Sequence, residues 1–78
     1  MEYGTKPLTI LTRYKNKPVM VTLKNDLTYG GVMIELDGYM NVVLEKASEY
    51  YNSERRATYP YILIRGNNIM YIKLGSEE

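Results

Sequence analysis

A chain of 78 residues without cysteine or histidine makes at most one small domain, with no disulfide, no thiolate nucleophile, and no imidazole to serve as base or zinc ligand. Ten basic against nine acidic residues leave a net charge of +1, too small a field to gather nucleic acid indiscriminately, so any such site has to be local. No apolar run approaches the roughly 20 residues of a membrane span, and Met1 to Lys6 lacks the apolar core of a signal peptide, so the expectation is a soluble, cytoplasmic single domain over residues 1–78 with no cofactor, no metal and no membrane partner.

In chain order, Thr5-Lys6-Pro7 reads as a helix start, with Thr5 as cap and Pro7 in the first turn. Leu8 with Leu11 and Ile10 with Tyr14 give a short amphipathic helix over about residues 6–14, which ends before Asn16-Lys17-Pro18. Two turns cannot stand alone in water, so the helix must lie across the open end of a sheet. From Val19 the period changes to two, and strands are expected at about 19–24, 28–37, 40–48, 56–65 and 68–74. Gly30-Gly31 inside the second marks a strong bend or bulge. Glu45 to Arg56 is the most polar stretch and reads as a hairpin tip, in which Arg55-Arg56 and the acids mainly solvate the loop. Pro60 lacks a backbone donor and must sit at an edge or at a strand's beginning.

These elements predict a mostly β fold: a small, strongly bent, five-stranded antiparallel barrel of the SH3-like class with a short N-terminal helix. The last two strands are apolar on both faces, which one thin core does not explain. Exposed apolar edges invite pairing with another chain, and a head-to-tail pairing that repeats by a fixed rotation closes into a ring. Nine tyrosines with no phenylalanine or tryptophan agree with wet subunit contacts, because tyrosine joins apolar area to a polar tip.

Asp37-Gly38-Tyr39-Met40-Asn41 lies where two strands meet. In an extended backbone Asp37, Tyr39 and Asn41 share one side and Met40 takes the other. A ring that stacks, an amide that donates and accepts, and an acid that orients the amide suit a flat ligand such as a nucleobase. A plain hairpin turn with Tyr39 half-buried remains the competing reading of the five residues.

Val21-Thr22-Leu23-Lys24-Asn25, Gly31 and Asp37-Gly38-Tyr39-Met40-Asn41 resemble the first signature of the Sm and Sm-like proteins, and Ile64-Arg65-Gly66-Asn67-Asn68-Ile69 resembles the second. The resemblance spans about Pro7 to Leu74, and the compact length looks most like the archaeal branch of the family. It implies a ring, usually of seven subunits, in which the fourth strand of one subunit pairs with the fifth of the next, and a homo-oligomer is the expectation for this chain. It implies uridine-rich single-stranded RNA bound without catalysis around the pore, in RNA processing or ribonucleoprotein assembly, with RNA-processing proteins as further partners. By the same resemblance Tyr39 stacks on one face of the base and Arg65 on the other, Asn41 reads the base edge, Asp37 orients Asn41, and Gly66 lets backbone approach the base. From the residues alone, Arg65 is equally open to an ion pair with Asp37.

Two positions depart from the family pattern. Asp26 stands where glycine is frequent, in a turn, and Tyr39 where archaeal relatives often have histidine, which bears on base preference. A protein-interaction scaffold, suggested by the near-neutral charge, is the alternative function. A hydrolytic site drawn from Asp37, Glu35 and Arg65 lacks the partners such carboxylates need. A second RNA surface around Lys6, Arg13 and Tyr14 competes with simple solvated charge.

Overall fold

The computed structural model describes residues 7–75. The expected cap at Thr5, Lys6 of the second candidate surface and the last three residues of the acidic tail lie outside them. Helix α1 runs over Pro7–Thr12 and is followed by β1 (Pro18–Leu23), β2 (Leu27–Leu36), β3 (Val42–Tyr51), β4 (Glu54–Ile64) and β5 (Ile69–Leu74), with one 3-10 turn at Gly66–Asn68 between the last two. The strands form one antiparallel sheet in the order β4-β3-β2-β1-β5, so β4 and β5 are its edges. The helix is shorter than the expected 6–14 because Arg13 and Tyr14 already donate to carbonyls three residues back, at Ile10 and Leu11. The following turn is tied to β2 by the Met33 N–H, which donates to the Lys17 carbonyl at 3.1 Å.

Alternation builds the core. Val19, Val21 and Leu23 point inward from β1 and meet Tyr29, Met33, Val42, Leu44, Ala47 and Ile64, with Tyr14, Ile62, Ile72 and Leu74 packed around them. The sheet bends where the sequence carries Gly30-Gly31. Gly30 faces Ser48 but Val32 faces Glu45, so β3 holds one extra residue there, and Lys46 takes φ +54° at that point. The bulge explains why the buried positions of β3 change parity from Val42 and Leu44 to Ala47. Gly31 is needed for contact, since a Cβ there would meet the Glu45 carbonyl oxygen at 2.8 Å.

Two boundaries differ from expectation. Strand β3 starts at Val42 instead of about 40, because Asp37 to Asn41 is closed into a loop, and it runs on to Tyr51. The polar stretch from Glu45 is therefore strand, not hairpin tip, and only Asn52 and Ser53 turn, both at positive φ, the backbone that a two-residue hairpin loop requires. Pro60 falls within edge strand β4, beside the bulge at Lys46, and has no register partner.

Candidate nucleic-acid interface

The Asp37–Asn41 stretch is not extended. Asp37 and Asn41 close it through Asp37 N–H to the Asn41 carbonyl at 3.2 Å and Met40 N–H to the Asp37 carbonyl at 3.0 Å. Met40 takes φ +67°, a left-handed conformation unusual for a bulky residue and held here by its surroundings. Asp37 is the organiser. Its Oδ1 accepts the backbone N–H groups of Tyr39 at 2.9 Å and Asn41 at 3.0 Å, and its Oδ2 accepts the Asn41 side-chain Nδ2 at 2.9 Å. The hydrogen bond from the Asn41 side chain, followed by that from the Asn41 backbone, lowers the Asp37 pKa below its ordinary value.

The other end of the Asn41 amide is held from far along the chain. Gly66 N–H donates to Asn41 Oδ1 at 2.8 Å. With nitrogen on a carboxylate and oxygen on an N–H, only one orientation of the amide satisfies both neighbours. One amide N–H and one oxygen lone pair remain for a ligand. Gly66 is required by contact within the protein: a Cβ would collide with the Tyr39 carbonyl oxygen and lie 2.9 Å from the Met40 carbonyl carbon.

Above this amide is an open recess of about 320 Å³ lined by Tyr39, Asn41, Arg65 and Asn67. The Tyr39 ring is 85% exposed, which removes the half-buried reading although the stretch is indeed a turn. Arg65 is exposed and does not pair with Asp37, whose carboxylate is occupied by Tyr39 and Asn41. The structure thus brings together Asp37, Tyr39, Asn41, Arg65 and Gly66. Asn67 is an addition. Its position two residues after Arg65, in the turn that carries the recess wall, was the available signal. Arg13 and Tyr14 lie in the turn after α1, and the Lys17 ammonium lies 5.7 Å from the centroid of the Tyr14 ring.

On the reverse of the same loop Met40 and Gly66 line an apolar groove of about 420 Å³ with Ile10, Leu11, Ile69 and Met70 among its walls. Edge strand β5 exposes Met70 and Tyr71, and edge strand β4 exposes Tyr59, Tyr61 and Leu63. On β4 these are outward positions that alternate with Ile62 and Ile64, and on β5 a bulge sets Met70 apart: Thr22 faces Tyr71 and Leu23 faces Ile69, so Met70 has no partner on β1.

Comparison with known proteins gives a consistent picture. The family model for the LSM domain matches residues 9–74. The "U6 snRNA-associated Sm-like protein LSm6" of Chaetomium globosum is 42% identical over 69 residues, covering 88% of this chain and 84% of that protein. The "Putative snRNP Sm-like protein" of Thermoplasma volcanium is 37% identical over 69 residues, covering 88% and 83%. Among solved structures, an Sm protein of Pyrococcus abyssii in complex with a uridine heptamer superposes with a TM-score of 0.87 at 34% identity, covering 90% of this chain and 99% of the other. Similarity to a fungal and an archaeal protein at comparable identity does not favour the archaeal branch expected from the compact length.

Proposed function

We propose, from the premise that this chain belongs to the LSM domain, or Sm-like, family, that it binds uridine-rich single-stranded RNA through the recess at Tyr39. As an Sm-like protein it is a binding protein and not an enzyme. The observation that carries the RNA reading is the Asn41 amide, fixed at both ends between an exposed ring and an exposed guanidinium. Its free N–H beside its free oxygen complements an adjacent acceptor and donor on a base edge, such as a carbonyl beside the ring N–H of uracil, a match the amide alone does not restrict to one base. The uridine heptamer bound by the Pyrococcus protein supports uracil. Tyr39 and Arg65 add stacking on either face, worth roughly 1–3 kcal/mol per base for an aromatic.

The exposed apolar edges of β4 and β5 support a ring closed head to tail by copies of this chain, seven by the family's usual pattern, with the recesses facing the pore. Processing or ribonucleoprotein assembly of the bound RNA is the role that fits such a ring. The test uses the chain expressed alone. Native mass spectrometry should give one closed oligomer, and oligo-uridine should bind far more tightly than oligo-adenosine. Asn41→Ala and Tyr39→Ala should keep the oligomer and lose that preference. Unchanged binding in both variants would remove the recess as the site. Equal, weak binding of all oligonucleotides by the parent would favour the scaffold reading.

A further inference from the structure

The outward face of the sheet carries a second recess, of about 270 Å³, that shares no lining residue with the first. Four of its residues form one cross-strand row. Tyr50 on β3 stands opposite Thr28 on β2, Thr28 opposite Thr22 on β1, and Thr22 opposite Tyr71 on β5. Met20 and Thr22 alternate with the buried Val19, Val21 and Leu23, so this face points away from the core. The two tyrosines are three strand spacings apart, about 14 Å at the backbone. Between them the Thr22 and Thr28 hydroxyls bond to each other at 3.2 Å. In the neighbouring row Met20 faces Gly30 on one side and Lys73 on the other. The Met20 sulfur lies over Gly30, where a Cβ would come within 2.6 Å of it.

This arrangement has the parts of a platform for a nucleotide. Tyr50 offers a stacking face at one end, and Tyr71, 56% exposed in the single chain and borne on the edge strand that the proposed ring would pair, flanks the other. Of the two threonine protons one is used between the hydroxyls, leaving a donor and several acceptors that rotate to suit their partner. Asn52, in the hairpin turn, adds an amide at the rim. No carboxylate lines the recess, Lys73 does, and Arg55 continues the row opposite Tyr50 on β4. Aromatic rings on an exposed sheet beside cations are how strands hold single-stranded nucleic acid without demanding a sequence. Freely rotating hydroxyls do not impose one orientation, in contrast to the clamped amide of Asn41.

We propose that the recess between Tyr50 and Tyr71 is a second, sequence-tolerant site for a nucleotide of single-stranded RNA. It does not depend on the Tyr39 recess being a base site. The experiment uses the full chain with Tyr39→Ala and Asn41→Ala together, and fluorescence anisotropy with labelled oligo-uridine and oligo-adenosine. Residual binding is expected, equal for the two oligonucleotides. Adding Tyr50→Ala should weaken it by about five- to hundred-fold, the equivalent of one stacked base, while Tyr50→Phe should keep it. Lys73→Ala, at an exposed position where folding is not at stake, should lower the salt dependence of that residual binding. If the double variant binds no oligonucleotide while the parent binds oligo-uridine, this second site is overturned and the first stands. If the double variant binds as the parent does and Tyr50→Ala abolishes it, the second site stands and the first falls. Residual binding indifferent to both Tyr50→Ala and Lys73→Ala would also overturn the proposal and leave the face to protein partners.

Discussion

Gly66→Ala tests the account of the recess most severely, because the methyl group has nowhere to go. Gly66 does not have a positive φ, so the substitution leaves backbone preference aside and acts through contact alone. The added carbon would collide with the Tyr39 carbonyl oxygen and sit 2.9 Å from the Met40 carbonyl carbon and 3.0 Å from the Met40 Cβ. Two of these are backbone atoms of a loop already closed by Asp37, so relief requires the loop to move away from Gly66. Overpacking of this kind costs about 1–3 kcal/mol. The same movement breaks the 2.8 Å bond from Gly66 N–H to Asn41, which adds about 0.5–1.5 kcal/mol. A total of about 1.5–4.5 kcal/mol is large against the roughly 4–12 kcal/mol expected for a domain of this size. It corresponds to a fall in Tm of roughly 6–36 °C. Thermal unfolding followed at one fixed protomer concentration, together with oligo-uridine titration, reads both effects. Gly38→Ala is the control: its Cβ meets nothing within 4 Å, and its stability should stay within about 0.5 kcal/mol of the parent. A Gly66→Ala protein with the parent's Tm and binding would refute the contact argument and the coupling of the two loops.

Further outcomes follow from individual residues. Asp26 sits at φ +73°, so Asp26→Gly should stabilise by up to about 1 kcal/mol in urea unfolding, since L-residues resist the left-handed region. The Asp37 pKa is lowered in the folded chain, so its contribution is present above the unfolded value of about 3.9 and lost as pH falls through the folded one. Oligo-uridine binding should therefore hold from pH 8 to pH 5 and fail only in stronger acid, read by anisotropy. The Tyr29 hydroxyl donates to Glu49 at 2.8 Å, and burial first, then that bond, pushes its pKa up to about 12. Its contribution is complete below the unfolded value near 10 and should disappear between there and pH 12, seen as alkaline unfolding accompanied by late tyrosinate absorbance.

How much of this was legible depends on what each segment buries. Strand β1 announces itself because Val19, Val21 and Leu23 meet the core while Met20 and Thr22 face out, and the period of two survives in the sequence. The β3–β4 arm does not. Beyond Ala47 its β3 half has no buried residue, and β4 has none before Ile64, so no apolar period remains to distinguish strand from loop. The turn residues Asn52-Ser53 were the better guide there. At the site, the chemistry of Asp37, Tyr39 and Asn41 is legible directly, but strand alternation gives the wrong reason for their convergence. It comes instead from a carboxylate that gathers three donors within its own loop. Gly66 also meets Tyr39 and Met40, 27 and 26 positions away, a contact that no local pattern encodes.

The openness of the recess decides what the protein must be in order to work. With Tyr39 85% exposed, a base gains one or two stacking contacts of roughly 1–3 kcal/mol and two hydrogen bonds worth about 0.5–1.5 kcal/mol each. Association itself costs an estimated 4–15 kcal/mol. The two sides nearly cancel, so a mononucleotide should show no measurable binding by calorimetry at micromolar concentrations. Joining recesses along one RNA makes each later contact intramolecular, and affinity then climbs steeply without any new kind of contact. In the proposed ring, the apolar edges of β4 and β5 would supply that repetition. Affinity for oligo-uridine should accordingly rise with length up to the number of subunits and level off beyond it. A flat dependence on length would mean that one recess suffices, against the balance given above.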